Sequence, residues 1–291
     1  MSLEGILNID KPQGITSHDV VNQVRRISGV RRVGHAGTLD PLATGVLLLC
    51  VGRATRLAEY LIGQSKRYVA TIRLGQATDT YDAEGVIVAE MPVHASQAEI
   101  KNMLFHFHGR IQQQAPAYSA IKRGGQPLYK LARQGEEVEP PVREVHIYEL
   151  EILSWIAPFL QIELSCSSGT YVRSLAHDLG QELGCGGHIT ALKRTAVGDF
   201  FLDRATTLDD LRNGEWSRYL LPGDTAVRHL PRLELSQEDV QRVKFGQQLE
   251  RLEDHPEAPL VRVYEPEGQF LGIVRIRGNS WQPHKVFLPE S

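Results

Sequence analysis

Cysteine is scarce in this sequence, and no apolar run is long enough to cross a bilayer. The three cysteines, Cys50, Cys166 and Cys185, form no Cys-x-x-Cys pair and leave one thiol over. That pattern fits reduced thiols better than a disulfide framework or a zinc clasp. The sequence also has no Gly-x-x-x-x-Gly-Lys-Ser/Thr and no Gly-x-Gly-x-x-Gly behind a strand. Phosphate-loop and dinucleotide chemistry are therefore without support. The start, Met1-Ser2-Leu3-Glu4-Gly5, lacks the basic and apolar stretches of a secretory signal. These absences lead us to expect a soluble, cytoplasmic protein with no metal site and no membrane partner.

A surplus of positive charge is missing too: 32 Lys/Arg face 35 Asp/Glu, a net charge of −3 over 291 residues. The distribution is uneven. Residues 1–75 carry ten basic and five acidic side chains, and residues 110–143 carry six and three. The acidic excess lies in 76–109, 144–204 and 205–291. A phosphate backbone needs local basic surface, not a basic total. For Arg25, Arg26, Arg31 and Arg32, a solvated helix end and an RNA contact fit equally well.

What is present is most specific at Gly34-His35-Ala36-Gly37-Thr38-Leu39-Asp40-Pro41-Leu42-Ala43-Thr44-Gly45. The glycines allow backbone conformations that other residues avoid, and Pro41 fixes its own φ while biasing Asp40 toward an extended form. Val46-Leu47-Leu48-Leu49-Cys50-Val51 follows with the length of a buried strand. The pattern predicts a carboxylate on a stiff loop at the edge of a sheet, as nucleophilic catalysis requires. An isolated Asp-Pro would read as an ordinary turn, but twelve specified positions favour a site.

Elsewhere the pattern predicts a strand over Gly5–Asp10, a loop over 11–16, and a helix capped by Ser17 with Val20, Val21, Val24 and Ile27 inward. Ser96-Gln97-Ala98-Glu99 reads as a capping box ahead of Ile100, Met103, Leu104 and Phe107, with His106 and His108 on the same helix but not on one face. Residues 110–141, rich in Gln, Pro, Gly and charge, are too long for a simple connector, and Tyr118, Tyr129 and Leu131 suit them for packing. Two strands are expected over 142–152 and 159–166, and a helix over 170–183 with Arg173 in its first turn, off the apolar face. A cation there opposes the helix dipole, which points to a nearby anion. Proline and glycine near 221–231 mark a boundary, giving domains 1–228 and 229–291. Beyond it, Ser236 caps a short helix, and Leu260–Tyr264 and Phe270–Ile276 flank the turn Glu265-Pro266-Glu267-Gly268 as a hairpin. Pattern alone supports a mixed α+β chain with a β-rich tail.

The Asp40 segment, together with Asp10-Lys11-Pro12-Gln13-Gly14-Ile15-Thr16-Ser17, resembles the signature of TruB-type tRNA pseudouridine synthases. The likeness continues through Lys66-Arg67-Tyr68, residues 78–85, 116–122 and Ser168-Gly169-Thr170-Tyr171-Val172-Arg173. It implies a catalytic domain with a largely antiparallel central sheet, a thumb-like insertion at about 110–141, and a small PUA-like RNA-binding tail. It also implies a cofactor-free isomerase, the tRNA T-arm stem-loop as partner, and no obligate protein partner. By resemblance Asp40, Tyr68 and Arg173 are the catalytic residues, with Asp40 as nucleophile or eliminating base, Arg173 its ion-pair partner and Tyr68 the platform under a flipped base. His35 would hold the RNA loop, Lys11 support the active site, and Lys66 face phosphate. Tyr171 and Leu192 would contact substrate. A guide-RNA-dependent synthase and an RNA chaperone without required chemistry stand as alternatives.

Overall fold

The run Thr44–Val51 is apolar throughout because both of its faces are covered. Leu47, Leu49 and Val51 enter one core cluster while Val46, Leu48 and Cys50 enter another. A strand buried on two sides has no reason to alternate. Each such leucine contributes about 1.5–3 kcal/mol of burial free energy.

The computed structural model describes residues 4–119, 122, 123, 125–128 and 140–288. Residues 129–139 of the expected insertion, with Tyr129 and Leu131, lie outside the described residues. The strands that build the main sheet are β1 (Gly5–Lys11), β2 (Val33–His35), β3 (Thr44–Val51), β4 (Lys66–Leu74), β7 (Gly109–Gln114), β10 (Val142–Ile156), β11 (Phe159–Cys166), β12 (Gly187–Val197) and β13 (Phe200–Phe201). Two small hairpins complete the numbering: β5 (Gln76–Thr78) with β6 (Ile87–Glu90), and β8 (Lys122–Arg123) with β9 (Gln126–Pro127). The sheet order is β1-β3-β12-β4-β11-β10-β7, with β2 on β3 and β13 on β12. Its pairings are antiparallel except β12 with β3, in line with the expected sheet.

Helices α1 (Ser17–Ser28), α2 (Ala58–Ile62), α3 (Gln97–Phe105), α4 (Val172–Glu182), α5 (Leu208–Asn213) and α6 (Gln237–Lys244) accompany the sheets. Val20, Val24, Ile100, Leu104, Leu175 and Leu179 pack from α1, α3 and α4 onto the first cluster. The cap of α1 differs from expectation by one residue. Thr16, not Ser17, accepts from the Asp19 N–H at 3.1 Å, and the Asp19 carboxylate accepts from the Thr16 N–H at 2.9 Å. The Ser17 hydroxyl turns inward and binds Leu39 through both its carbonyl, at 2.9 Å, and its N–H, at 2.8 Å. His106 and His108 follow the last residue of α3 instead of lying on it, because the helix stops at Phe105.

A second sheet, β14 (Arg232–Glu234), β15 (Leu249–Glu250), β16 (Leu260–Tyr264), β17 (Phe270–Arg277) and β18 (Ser280–Val286), runs in the order β14-β16-β17-β18-β15. The expected hairpin is there: the Gly268 N–H donates to Glu265 O at 2.8 Å, closing the turn between β16 and β17. Ile273 and Phe287 of this unit join Ile6, Val46 and Leu48 in the second core cluster. Arg56 adds a hydrogen bond of 2.7 Å to the Val286 carbonyl. Among the described residues no helix is long and apolar enough to cross a membrane.

Candidate active site

Asp40 sits on the loop of a β-hairpin. Val33 of β2 faces Val51 of β3, and His35 faces Leu49, so residues 36–43 connect the two strands. Gly45 has φ of 96°, and a Cβ built on it would stand 2.2 Å from the Arg194 carbonyl oxygen. Only glycine lets β3 approach β12 this closely. Asp40-Pro41-Leu42-Ala43 is a β-turn with proline second, the Ala43 N–H donating to Asp40 O at 3.0 Å. The turn and the site are thus the same object.

The loop is held from several sides. Ser17 clasps Leu39, the Gly14 N–H donates to Pro41 O at 2.8 Å, and Leu39, Leu42 and Ala43 are buried. Lys11, expected in a loop, is instead the last residue of β1 and fully buried. Its ammonium donates to Pro12 O at 2.9 Å, Ile15 O at 2.7 Å and Pro41 O at 3.4 Å. Burial pulls its pKa down to about 8, with the Asp40 charge opposing the shift.

The Asp40 side chain keeps 38% of its surface exposed, while Arg173 opposite it keeps 8%. Arg173 is thus buried although it lies off the apolar face of its helix, and carboxylates stand beside it. Its Nε lies 3.1 Å from Asp40 Oδ2, and Nη1 lies 3.1 Å from Asp82 Oδ2. Nη1 also donates to Thr80 O at 3.1 Å, and Nη2 to Tyr118 O at 2.9 Å. One guanidinium thus bridges two carboxylates, as its fork geometry allows. Asp82 is buried and accepts from Thr80 Oγ1 at 2.7 Å and the Glu84 N–H at 3.1 Å. The sequence reading gave Asp82 no role. The tight Thr78–Gly85 segment, rich in carboxylates, was the available signal.

Tyr68, on β4, faces Arg194 of β12 and Leu164 of β11 across the ladder. Burial pushes its phenol pKa up, and the Arg194 charge partly offsets this. His35 has its pKa lowered by burial and then by His18 and Arg194. Among the described residues its Nδ1 is buried without a partner, as is the Ser119 hydroxyl. Tyr171 precedes α4, its N–H donating to Gln113 Oε1 at 2.8 Å. Lys66 departs from expectation: it is buried, its ammonium donates to the carbonyls of Ile62 and Gln64, and burial lowers its pKa to about 8. An ammonium engaged by two carbonyls does not face outward toward phosphate. Arg25 is similarly occupied, donating to Val33 O at 2.8 Å.

Asp40, Arg173, Tyr68, His35, Lys66, Tyr171 and Leu192 line one cleft of about 380 Å³, together with Ser119 and Arg194. Of the expected site residues only Lys11 stays outside its lining, beneath the Asp40 loop. Among the described residues no group of three or more His, Cys, Asp or Glu is arranged to hold a metal ion.

Comparison with known proteins identifies an antiparallel sheet carrying such a cleft, beside a second β-rich unit, as that of a pseudouridine synthase. Residues 25–172 match the model of the TruB family pseudouridylate synthase N-terminal domain. Residues 173–228 match the tRNA pseudouridylate synthase B C-terminal domain, and 231–287 the pseudouridine synthase II TruB C-terminal model. The chain belongs to the TruB family. It is 46% identical to the tRNA pseudouridine synthase B of Dehalococcoides mccartyi (strain ATCC BAA-2100), covering 99% of this chain and 98% of that one. Against the tRNA pseudouridine synthase B of Haemophilus influenzae (strain PittEE) identity is 41%, over 98% and 95%. A solved Cbf5-Nop10-Gar1 complex contains a chain that superposes with a TM-score of 0.75 at 26% identity, over 98% of this chain and 85% of that one. An H/ACA RNP bound to a substrate RNA containing 2′-deoxyuridine gives 0.74 at 25%, over the same shares.

Proposed function

We propose that this enzyme converts uridine 55 in the T loop of tRNA to pseudouridine in the cytoplasm, without guide RNA or obligate protein partner. The observation that carries the reading is the 3.1 Å ion pair between Asp40 and the buried Arg173 in the cleft beside Tyr68. The relatives named tRNA pseudouridine synthase B, 41–46% identical over nearly the whole chain, support tRNA as substrate. That identity outweighs the 25–26% shared with the chains of the H/ACA and Cbf5 assemblies.

The reaction breaks the ribose C1′–N1 bond, turns the uracil over, and joins C1′ to C5. The C5 proton is lost and N1 gains one, so atoms and electrons balance without a redox or carrier group. The uridine must leave its stack to reach the cleft. Asp40 then attacks C1′ or the base, or removes a proton to start elimination; all three routes use the same carboxylate. Arg173 orients it, with Nε 3.1 Å from Asp40 Oδ2. Tyr68 supports the flipped base from one side, a contact worth about 1–3 kcal/mol for a stacked base. Burial lowers the pKa of His35, and His35 and Ser119 line the cleft that receives the RNA. The 1–228 unit carries the chemistry, and the 229–291 unit extends the RNA contact.

The test is pseudouridine mapping in an unmodified tRNA transcript by base-specific derivatisation and primer extension, with no guide or cofactor added. We expect a single stop in the T loop with wild type and none with Asp40→Asn, which still binds tRNA. Wild-type binding without a stop would favour guide dependence or a chaperone role.

A further inference from the structure

Two arginines are buried at the cleft, and only one of them has carboxylate partners. Arg173 pairs with Asp40 and Asp82. Arg194, 2% exposed, has no carboxylate within ion-pair distance among the described residues. A buried charge without a counter-ion costs several kcal/mol. Its hydrogen bonds use three separate nitrogens of the guanidinium fork, which an amide with one donor nitrogen cannot reproduce.

Those hydrogen bonds go to backbone carbonyls on either side of the Asp40 turn. Nε donates to Val46 O at 2.7 Å, Nη1 to Thr38 O at 3.3 Å and Nη2 to Gly37 O at 3.3 Å. The last two are carbonyls of the loop that presents Asp40. On its other side Arg194 stands opposite Tyr68 in the ladder between β12 and β4, where its charge acts on the phenol. Side chains directly opposite in an antiparallel pair share a face. Gly45 lets the Arg194 backbone come this close to β3. No other described side chain joins the Asp40 loop to the Tyr68 strand in this way.

We propose that Arg194 is a positioning residue that locks the Asp40 loop and the Tyr68 platform in one register and keeps a fixed positive charge beneath the flipped base. As the C1′–N1 bond breaks, its electron pair passes to the uracil ring. Negative charge then builds above this cation, which is buried and already in place before the reaction begins. Arg194 neither gives nor takes a proton. The inference rests on the reading of Tyr68 as the platform.

The experiment measures kcat and KM for tRNA with wild type, Arg194→Gln, Arg194→Lys, Tyr68→Phe, Tyr68→Ala and the Arg194→Gln/Tyr68→Phe double variant, with a thermal melt for each. Arg194→Gln should lower kcat about 100-fold with KM little changed. Arg194→Lys, which keeps the charge but not the fork, should recover about a tenth to a half of the wild-type rate. Arg194→Gln should cost less in the Tyr68→Phe background, because the two groups act as a unit. Equal losses in Gln and Lys variants, full additivity with Tyr68→Phe, or a loss confined to KM or melting temperature would each overturn the proposal. Failure of both Arg194 variants to fold would make the residue structural and overturn it as well. Wild-type kcat and KM in Tyr68→Ala would instead remove the platform reading itself.

Discussion

The cleft and the C-terminal sheet bury very different materials. Around Asp40 the interior holds Lys11, Lys66, Asp82, Arg173 and Arg194. The C-terminal core holds Leu235, Val240, Val243, Val261, Val263, Leu271, Val274 and Trp281, with the Arg232–Glu234 and Arg242–Glu238 pairs partly exposed on its surface. Burying charge costs free energy that burying valine returns. The cleft end thus carries the desolvation cost of fixed charges, which the C-terminal core does not.

Substitutions at the two ends should separate these uses. The largest effect is expected at Arg173→Ala, which leaves Asp82 buried and unpaired. It should slow turnover at least about 100-fold and lower unfolding free energy by about 3–5 kcal/mol, with tRNA affinity little changed. An unaltered single-turnover rate would rule out the pair. Trp281→Ala should cost about 3–5 kcal/mol in denaturant melts while leaving kcat at the wild-type value, because Trp281 is fully buried in the other core. A collapse of kcat in folded protein would show that the two regions are coupled.

The smallest effect is one of pH. The Lys66 pKa falls from 10.5 to about 8 on folding, so the unfolded chain binds its proton more tightly. Stability from this group therefore rises with pH between about 8 and 10.5, where the folded protein has shed a proton that the unfolded chain retains. Lys66→Met should be more stable than wild type near pH 7.5, and the gap should narrow as pH climbs to 9.5. A gap independent of pH would mean that the ammonium is not desolvated.

Much of this architecture was legible. The two-sided apolar run of β3, the Ser96 capping box, the inward valines of α1 and the hairpin around Pro266 are local patterns, and each appears where the pattern lies. The cap of α1 was misread by one residue because Thr16 and Ser17 are both good caps. What separated them was the inward hydrogen bond of Ser17 to Leu39, twenty-two positions away. The burial of Lys66 was not legible either, because the carbonyls of Ile62 and Gln64 that take its ammonium are placed by the fold.

By itself the sequence determined the family, the stiff Asp40 loop and the strands and helices whose periodicity is local. Only the tertiary structure decided what else surrounds the carboxylate and its Arg173 partner. Arg173, Asp82, Tyr118 and Arg194 come from four separate stretches of chain, and their convergence depends on sheet order and on the close approach of β3 to β12 at Gly45. Propensity acts over a few residues, whereas the pairing of a buried charge is settled by whichever distant groups the fold brings within about 4 Å.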